Sequence, residues 1–302
     1  MKITGTFLDE ITFDIPSANL GAKEWAKDFD AMKAIGIDTV IMIRVGNRNI
    51  CAFPSKTLKK YLTPMPVYED LVELFLNEAE RCNMNLFFGT YNTRQFWNNG
   101  DYQKEVDLNM DIIDEVFKKH GNRKAFKGWY ISHEIHSYNK SAMKVYEKLA
   151  NYLKSVKKVP IMISPYFKGI KQYDRPLTVE EHKKNWEKIF KVIEGIIDIV
   201  AFQDGHVNYS ELPAYLDANN ALAAKYKIIP WSNVESFDRD TPIKFLPIDF
   251  RKLRYKMEAA EKSGVKKLIT FEFSHFMSPN SIYPSAKNLY NRYREWLKNE
   301  SK

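Results

Sequence analysis

Two glutamates stand out by what precedes them. Glu134 closes the run Gly128-Trp129-Tyr130-Ile131-Ser132-His133-Glu134, and Glu235 lies within Pro230-Trp231-Ser232-Asn233-Val234-Glu235-Ser236-Phe237. In an extended chain side chains alternate, so Tyr130, Ser132 and Glu134 share one face, as do Trp231, Asn233 and Glu235. Carboxylates set beside aromatic rings suit a carbohydrate, whose C–H surface stacks on rings while its hydroxyls bond to charged acceptors. Cleaving a glycosidic bond takes one carboxylic acid to protonate the leaving oxygen and one carboxylate to attack or stabilise the oxocarbenium-like centre. For double displacement the two stand about 5 Å apart. Whichever of the two is the acid needs partial burial against rings to raise its pKa, and its partner must stay ionised.

Such a pair works only if the elements carrying it converge. Apolar runs rich in Ile, Val, Phe and Thr open at Ile3, Asp38, Asn85, Phe126, Val159, Asp198, Lys227 and Lys266, at intervals of 29 to 47 residues. Between them lie stripes at helical spacing, such as Trp25, Phe29 and Met32, or Tyr146, Leu149, Leu153 and Val156. Gly36, Gly121, Pro160, Gly195 and Gly264 mark where helices should stop. Strict alternation demands a parallel sheet, and eight units of this size predict closure into one (β/α)8 TIM barrel spanning residues 1–302 as a single domain. No Gly-x-Gly-x-x-Gly follows a strand and no P-loop occurs, which argues against a nucleotide-binding open sheet.

In a barrel of this kind the C-terminal strand ends form the active face. Here they carry Asp9-Glu10, Arg44, Tyr91-Asn92 with Arg94, Phe96 and Trp97 behind, His133-Glu134, Tyr166, Gln203-Asp204 with His206, Trp231 to Phe237, and Glu272 to His275. Asp9, Glu10, Gln203, Asp204 and Glu272 are expected as hydroxyl acceptors, and Trp97, Trp231, Phe237 and Phe276 as stacking walls, with Trp231 equally suited to the core. Arg44, Tyr91, His133, Tyr166, His206 and Asn233 complete the expected sugar-binding set, and Glu272 is the rival carboxylate. The segment Ser236 to Asp249, with Asp238-Arg239-Asp240, is expected to cap the site, and Asp174-Arg175-Pro176 to do likewise or remain plain surface loop.

The Gly-Trp-x-x-x-His-Glu ending resembles the Asn-Glu ending of clan A glycoside hydrolases. That resemblance implies Glu134 as acid/base, Glu235 as nucleophile and retention of configuration, with His133 in place of the clan's asparagine. On that assignment Glu134 is expected to be partly buried against rings such as Trp129, Tyr130 or Tyr166, and Glu235 to be held ionised by candidates Arg44, Asn233 and His206. More closely, Ile3-Thr4-Gly5-Thr6-Phe7-Leu8-Asp9-Glu10 and the stretch from Asp28 to Ile41 resemble the bacterial domain-of-unknown-function family 4434. The resemblance covers nearly the whole length and implies a glycosidase-like barrel.

Composition bounds the partners. At 44% hydrophobic residues the chain is globular, and its +8 charge is spread as lysine pairs at helix ends and on polar helix faces, which argues against a nucleic-acid partner. Cys51 and Cys82 lack the spacing of a metal knuckle and are expected as free thiols. No apolar stretch approaches the ~18 residues of a membrane span, and no signal peptide is evident. The expectation is a cytoplasmic protein as written, or a secreted or periplasmic one if a leader precedes Ile3. A carbohydrate is the expected partner, with no cofactor. Two other readings remain at this stage. One is a metal-dependent sugar isomerase or epimerase using Glu134, Asp204, His206 and Glu272, joined by His133 or His136. The other is a barrel that binds glycans without cleaving them.

Overall fold

Every apolar run becomes a strand in the computed structural model of the protein, which describes residues 1–12, 15–239 and 245–300. The barrel strands are β1 (Ile3–Leu8), β2 (Thr39–Met42), β3 (Asn85–Gly89), β4 (Phe126–Tyr130), β5 (Ile161–Ile163), β6 (Ile199–Gln203), β7 (Ile229–Asn233) and β8 (Lys267–Thr270). All neighbours pair in parallel, and β8 pairs with β1 to close the cylinder. The main helices alternate with them: α1 (Ala22–Ala34), α2 (Leu71–Cys82), α3 (Tyr102–His120), α4 (Lys140–Val156), α5 (Val179–Ile193), α6 (Leu212–Lys225), α7 (Phe250–Ser263) and α8 (Pro284–Glu300). This is the expected (β/α)8 architecture.

Small shifts of boundary have local causes. The fifth run opens at Val159, but β5 starts at Ile161 because Pro160 has no N–H to give the ladder. The seventh opens at Lys227, which sits at a positive φ of 54° on leaving α6, so pairing begins at Ile229. Gly264 closes α7 at a φ of 90°, the left-handed cap that glycine adopts without a Cβ clash. Gly121 follows α3 in ordinary right-handed conformation, so a left-handed cap is not what stops that helix.

Two apolar layers result. The helical stripes, including Trp25, Phe29, Leu149 and Trp186, pack against the outside of the barrel in one continuous core. Inside the cylinder Phe7, Ile41, Phe87, Tyr130, Met162, Ile199 and Ile269 fill the lumen, with Trp231 packed against them. The lumen is therefore a packed floor, and any chemistry must sit above it, at the C-terminal mouth. Around that mouth Gly46–Asn47 pairs with Ile50–Cys51 and with Tyr91–Asn92, while Phe237–Asp238 pairs antiparallel with Leu246–Pro247. Both cysteines are buried and free. Among the described residues no helix is long and apolar enough to cross a membrane.

Candidate active site

The alternation of β4 and β7 continues past their last paired residues. Tyr130 and Trp231 point into the packed lumen, and the residues two and four steps on rise into the mouth. There Glu134 and Glu235 line one cavity of about 240 Å³, together with Arg44, Tyr166, Gln203, His206 and Asn233. Phe237, Phe245 and Phe271 form its apolar wall. A second cavity of about 200 Å³ shares Arg44, Arg94, Glu134 and Tyr166 with the first, and adds Asn92, Trp97, Asn98 and Ser132. Glu134 thus stands where the two cavities meet.

Glu235 is only 1% exposed, and burial alone would raise its pKa. The guanidinium of Arg239 prevents that, donating from Nε to Oε2 at 2.9 Å and from Nη2 to Oε1 at 2.8 Å. Its charge and this two-pronged contact hold the carboxyl below the ordinary range. The pair can lie where it does because residue 205 is glycine: a Cβ there would come 1.7 Å from Glu235 Oε2. His206, beside them, is pushed down to about 3 by burial and by Arg239, so its imidazole is neutral. The sequence offers Arg44, Asn233 and His206 as candidates to hold Glu235. Arg239 does it, four residues along a loop whose path no local pattern encodes.

The backbone of Glu235 is clamped as well. Its N–H donates to Asp204 Oδ1 at 3.0 Å, its carbonyl accepts from Lys256 Nζ at 2.7 Å, and Lys256 meets Asp204 at 2.6 Å. Asp204, pushed up to about 6 by burial, does not line either cavity; it holds Glu235 instead of a substrate hydroxyl. Lys256 lies on the buried stripe of α7 with Leu253, Met257 and Ala260, and a lysine at that spacing was the overlooked signal. Replacing it by methionine leaves Asp204 buried opposite no charge. The expected result is a loss of about 3–5 kcal/mol of stability, read as the shift of a urea unfolding midpoint; an unchanged midpoint would contradict the clamp.

Glu134 is 28% exposed on its side chain, and Arg44 Nη2 stands 4.0 Å from its Oε1. Arg44 itself is buried, and its Nε and Nη1 have no hydrogen-bond partner among the described residues. Of the rings expected to bury Glu134, Tyr166 lines both cavities with it, whereas Trp129 lies in the outer core. His133 faces away from the cavities, a consequence of the same alternation that turns Glu134 in. Its Nε2 meets Glu105 Oε1 at 2.7 Å, and its ring packs on Trp97 with centroids 4.7 Å apart. Burial opposes ionisation of Glu105, yet the bonds from His133 and Thr93 hold its pKa below the usual value. His133 therefore steadies the strand end and the wall residue Trp97, rather than contacting a ligand in either cavity.

Several other expected contacts lie outside the two cavities. Tyr91 is buried under the small mouth sheet, its hydroxyl donating to the Arg48 carbonyl at 3.0 Å, and Asn92 takes the lining position. Trp231 packs on Phe87 in the lumen, and Phe276 lies behind Phe237. Asp9 accepts from the N–H groups of Ile11 and Thr12, and Glu10, pushed up to about 7 by burial, accepts from Ser17. Glu272 is fully buried, with both oxygens taken by the N–H groups of Ser274 and His275 and by the His275 ring. It has no path to a sugar. In the segment after β7, Phe237, Arg239 and Phe245 line the first cavity, while Asp240 lies outside the described residues; after β5 it is Gln172, not Asp174-Arg175-Pro176, that reaches the lining. Among the described residues no three His, Cys, Asp or Glu side chains gather as a metal site.

The Glu272–His275 pair makes stability depend on pH. Burial works against a charged imidazole, but the Glu272 carboxylate and the Pro16 carbonyl lift His275 from 6.5 to about 9. A raised pKa stabilises the fold fully below about 6.5 and loses that contribution as pH rises through about 9. Unfolding midpoints of wild type should therefore fall across this window, and His275→Gln should flatten the fall; parallel curves would contradict the charged pair.

Comparison with known proteins shows the family and the fold. The family model of the domain of unknown function DUF4434 matches residues 3–283. The chain belongs to that family. A crystal structure named a "putative alpha-L-fucosidase", from Bacteroides thetaiotaomicron VPI-5482, is 49% identical to this member, covering 98% of this chain and 93% of that one with a TM-score of 0.95. The endo-1,4-beta-D-mannanase of Thermotoga petrophila RKU-1 is 9% identical over 89% of this chain and 87% of its own, with a TM-score of 0.59. A glycoside hydrolase family 5 protein of Bacteroides vulgatus ATCC 8482 is 12% identical over 84% and 56%, also at 0.59. At these two identities the likeness is one of fold. No curated protein matches the chain.

Proposed function

We propose that this DUF4434 member is a retaining glycoside hydrolase, with Glu134 as acid/base and Glu235 as nucleophile. The observation that carries the reading is the convergence of both glutamates on one cavity in unlike surroundings. Glu235 is pinned in ionised form by Arg239, while Glu134 keeps contact with solvent at the junction of two cavities. Paired carboxyl groups with different environments are what acid and nucleophile roles require. The shared fold with glycoside hydrolases supports the same reading.

The chemistry follows in two steps. Glu134, as the carboxylic acid, gives its proton to the glycosidic oxygen as an oxygen of Glu235 bonds to the anomeric carbon and the C–O bond to the leaving alcohol breaks. Glu134, now a carboxylate, takes a proton from water as that water attacks the anomeric carbon and Glu235 departs. Two inversions give net retention. Arg239 keeps Glu235 ionised before attack and receives it again as the leaving carboxylate. Gln203, His206 and Asn233 supply polar contacts for sugar hydroxyls, and the Phe237, Phe245 and Phe271 wall offers an apolar face.

The test is turnover of a panel of p-nitrophenyl glycosides, with the α-L-fucoside included because the 49% identical Bacteroides protein carries that name. Release of p-nitrophenol by wild type from at least one member, and its loss in Glu134 and Glu235 variants, is expected. Binding without turnover in all of them would favour a non-catalytic glycan-binding barrel.

A further inference from the structure

Resting on that hydrolase reading, we infer that the second cavity and an open groove beyond it form one leaving-group channel built for a glycan. The groove, of about 550 Å³, shares Arg94 and Asn98 with the second cavity and is lined further by Asn49, Thr63 and Gln95. Arg94 borders all three spaces. Its backbone is held at a φ of 59°, a region that a non-glycine residue occupies only when its surroundings impose it, and such positions cluster at ligand sites.

The direction of the channel follows from Glu134. An acid that protonates the bridging oxygen must stand between the sugar being transferred and the group that leaves, and Glu134 stands between the first cavity and the second. The sugar attacked by Glu235 occupies the first cavity, because only that cavity is lined by Glu235. Its far wall, opposite β4 across the barrel, is the apolar face of Phe237 and Phe271, so the substrate continues the other way. On that side the lining changes character. Asn92, Asn98 and Arg94 offer donors and acceptors, beside the rings of Trp97 and Tyr166. Amides and a guanidinium set beside two rings match a sugar's hydroxyls and C–H surface, whereas a lining this polar leaves much of a lipid leaving group's apolar area uncovered. The same amide-rich lining continues into the groove through Asn98, which gives the leaving group room for more than one ring.

The experiment compares one glycone, chosen as the best p-nitrophenyl substrate of the panel, carried on p-nitrophenol and on lactose. Asn98 is exposed, so Asn98→Ala and the channel-filling Asn98→Trp keep the fold. The ratio of kcat/KM for the lactose conjugate to that for the aryl glycoside is expected to fall about tenfold in the alanine variant, the loss of one good polar contact, and further in the tryptophan variant. An unchanged ratio in both variants, with turnover intact, would overturn the channel while leaving the hydrolase standing. Absence of turnover from every glycoside would remove both.

Discussion

Glu235→Ala is expected to lose at least ~10⁴-fold in kcat on every substrate, the scale on which covalent nucleophiles are missed. The variant has a second, more specific signature. Removing the carboxylate leaves the Arg239 guanidinium, which donated to both its oxygens, facing an anion-sized gap at the anomeric carbon. Sodium azide should enter that gap, attack from the nucleophile's side and restore measurable turnover, yielding a glycosyl azide of inverted configuration. Product analysis by proton NMR reads the configuration directly. Residual activity near wild type, or no rescue together with an intact fold in Glu235→Gln, would contradict the role of Glu235.

Glu134→Ala should behave differently, because an acid is needed only where the leaving group cannot depart as its anion. A loss of ~10²–10⁴-fold in kcat/KM is expected for alkyl or sugar leaving groups, and little loss for a 2,4-dinitrophenyl glycoside. Since water activation is also lost, the glycosyl-enzyme should accumulate and KM for that activated substrate should drop. Pre-steady-state release of dinitrophenol as a burst is the measurement. Equal losses for good and poor leaving groups would show that Glu134 only shapes the cavity.

Much of this site is legible in the amino-acid sequence, for a physical reason. Strand faces follow from period two, so Tyr130, Ser132 and Glu134 could be aimed before their neighbours were known, and Trp231, Asn233 and Glu235 likewise. The eight-fold alternation then brings the two sets to one mouth. What escapes is contact made across loops. Arg239 reaches Glu235 through a loop path set by the Phe237–Asp238 pairing and by the bare backbone at Gly205, neither of which leaves a periodic trace. His133 looked like a sugar ligand because it precedes Glu134, but the alternation that turns Glu134 inward turns His133 to Glu105 on α3. Glu272 carried the right chemistry at a strand end and is consumed locally, capping the short helix Phe273–Phe276 and pairing with His275. Lys256 shows the converse: a charge on an apolar helical stripe meant a buried partner, Asp204, and through it a fixed backbone for Glu235.

The most direct test of the two-glutamate mechanism is to find which side chain becomes glycosylated. A 2-deoxy-2-fluoro glycoside with a dinitrophenyl leaving group, made on the accepted glycone, slows both steps but lets the first proceed, and peptide mass mapping then locates the label. One sugar per chain, on the peptide carrying Glu235, is the predicted result. A label on any other residue, or turnover that inverts the anomeric centre with no label formed, would contradict it.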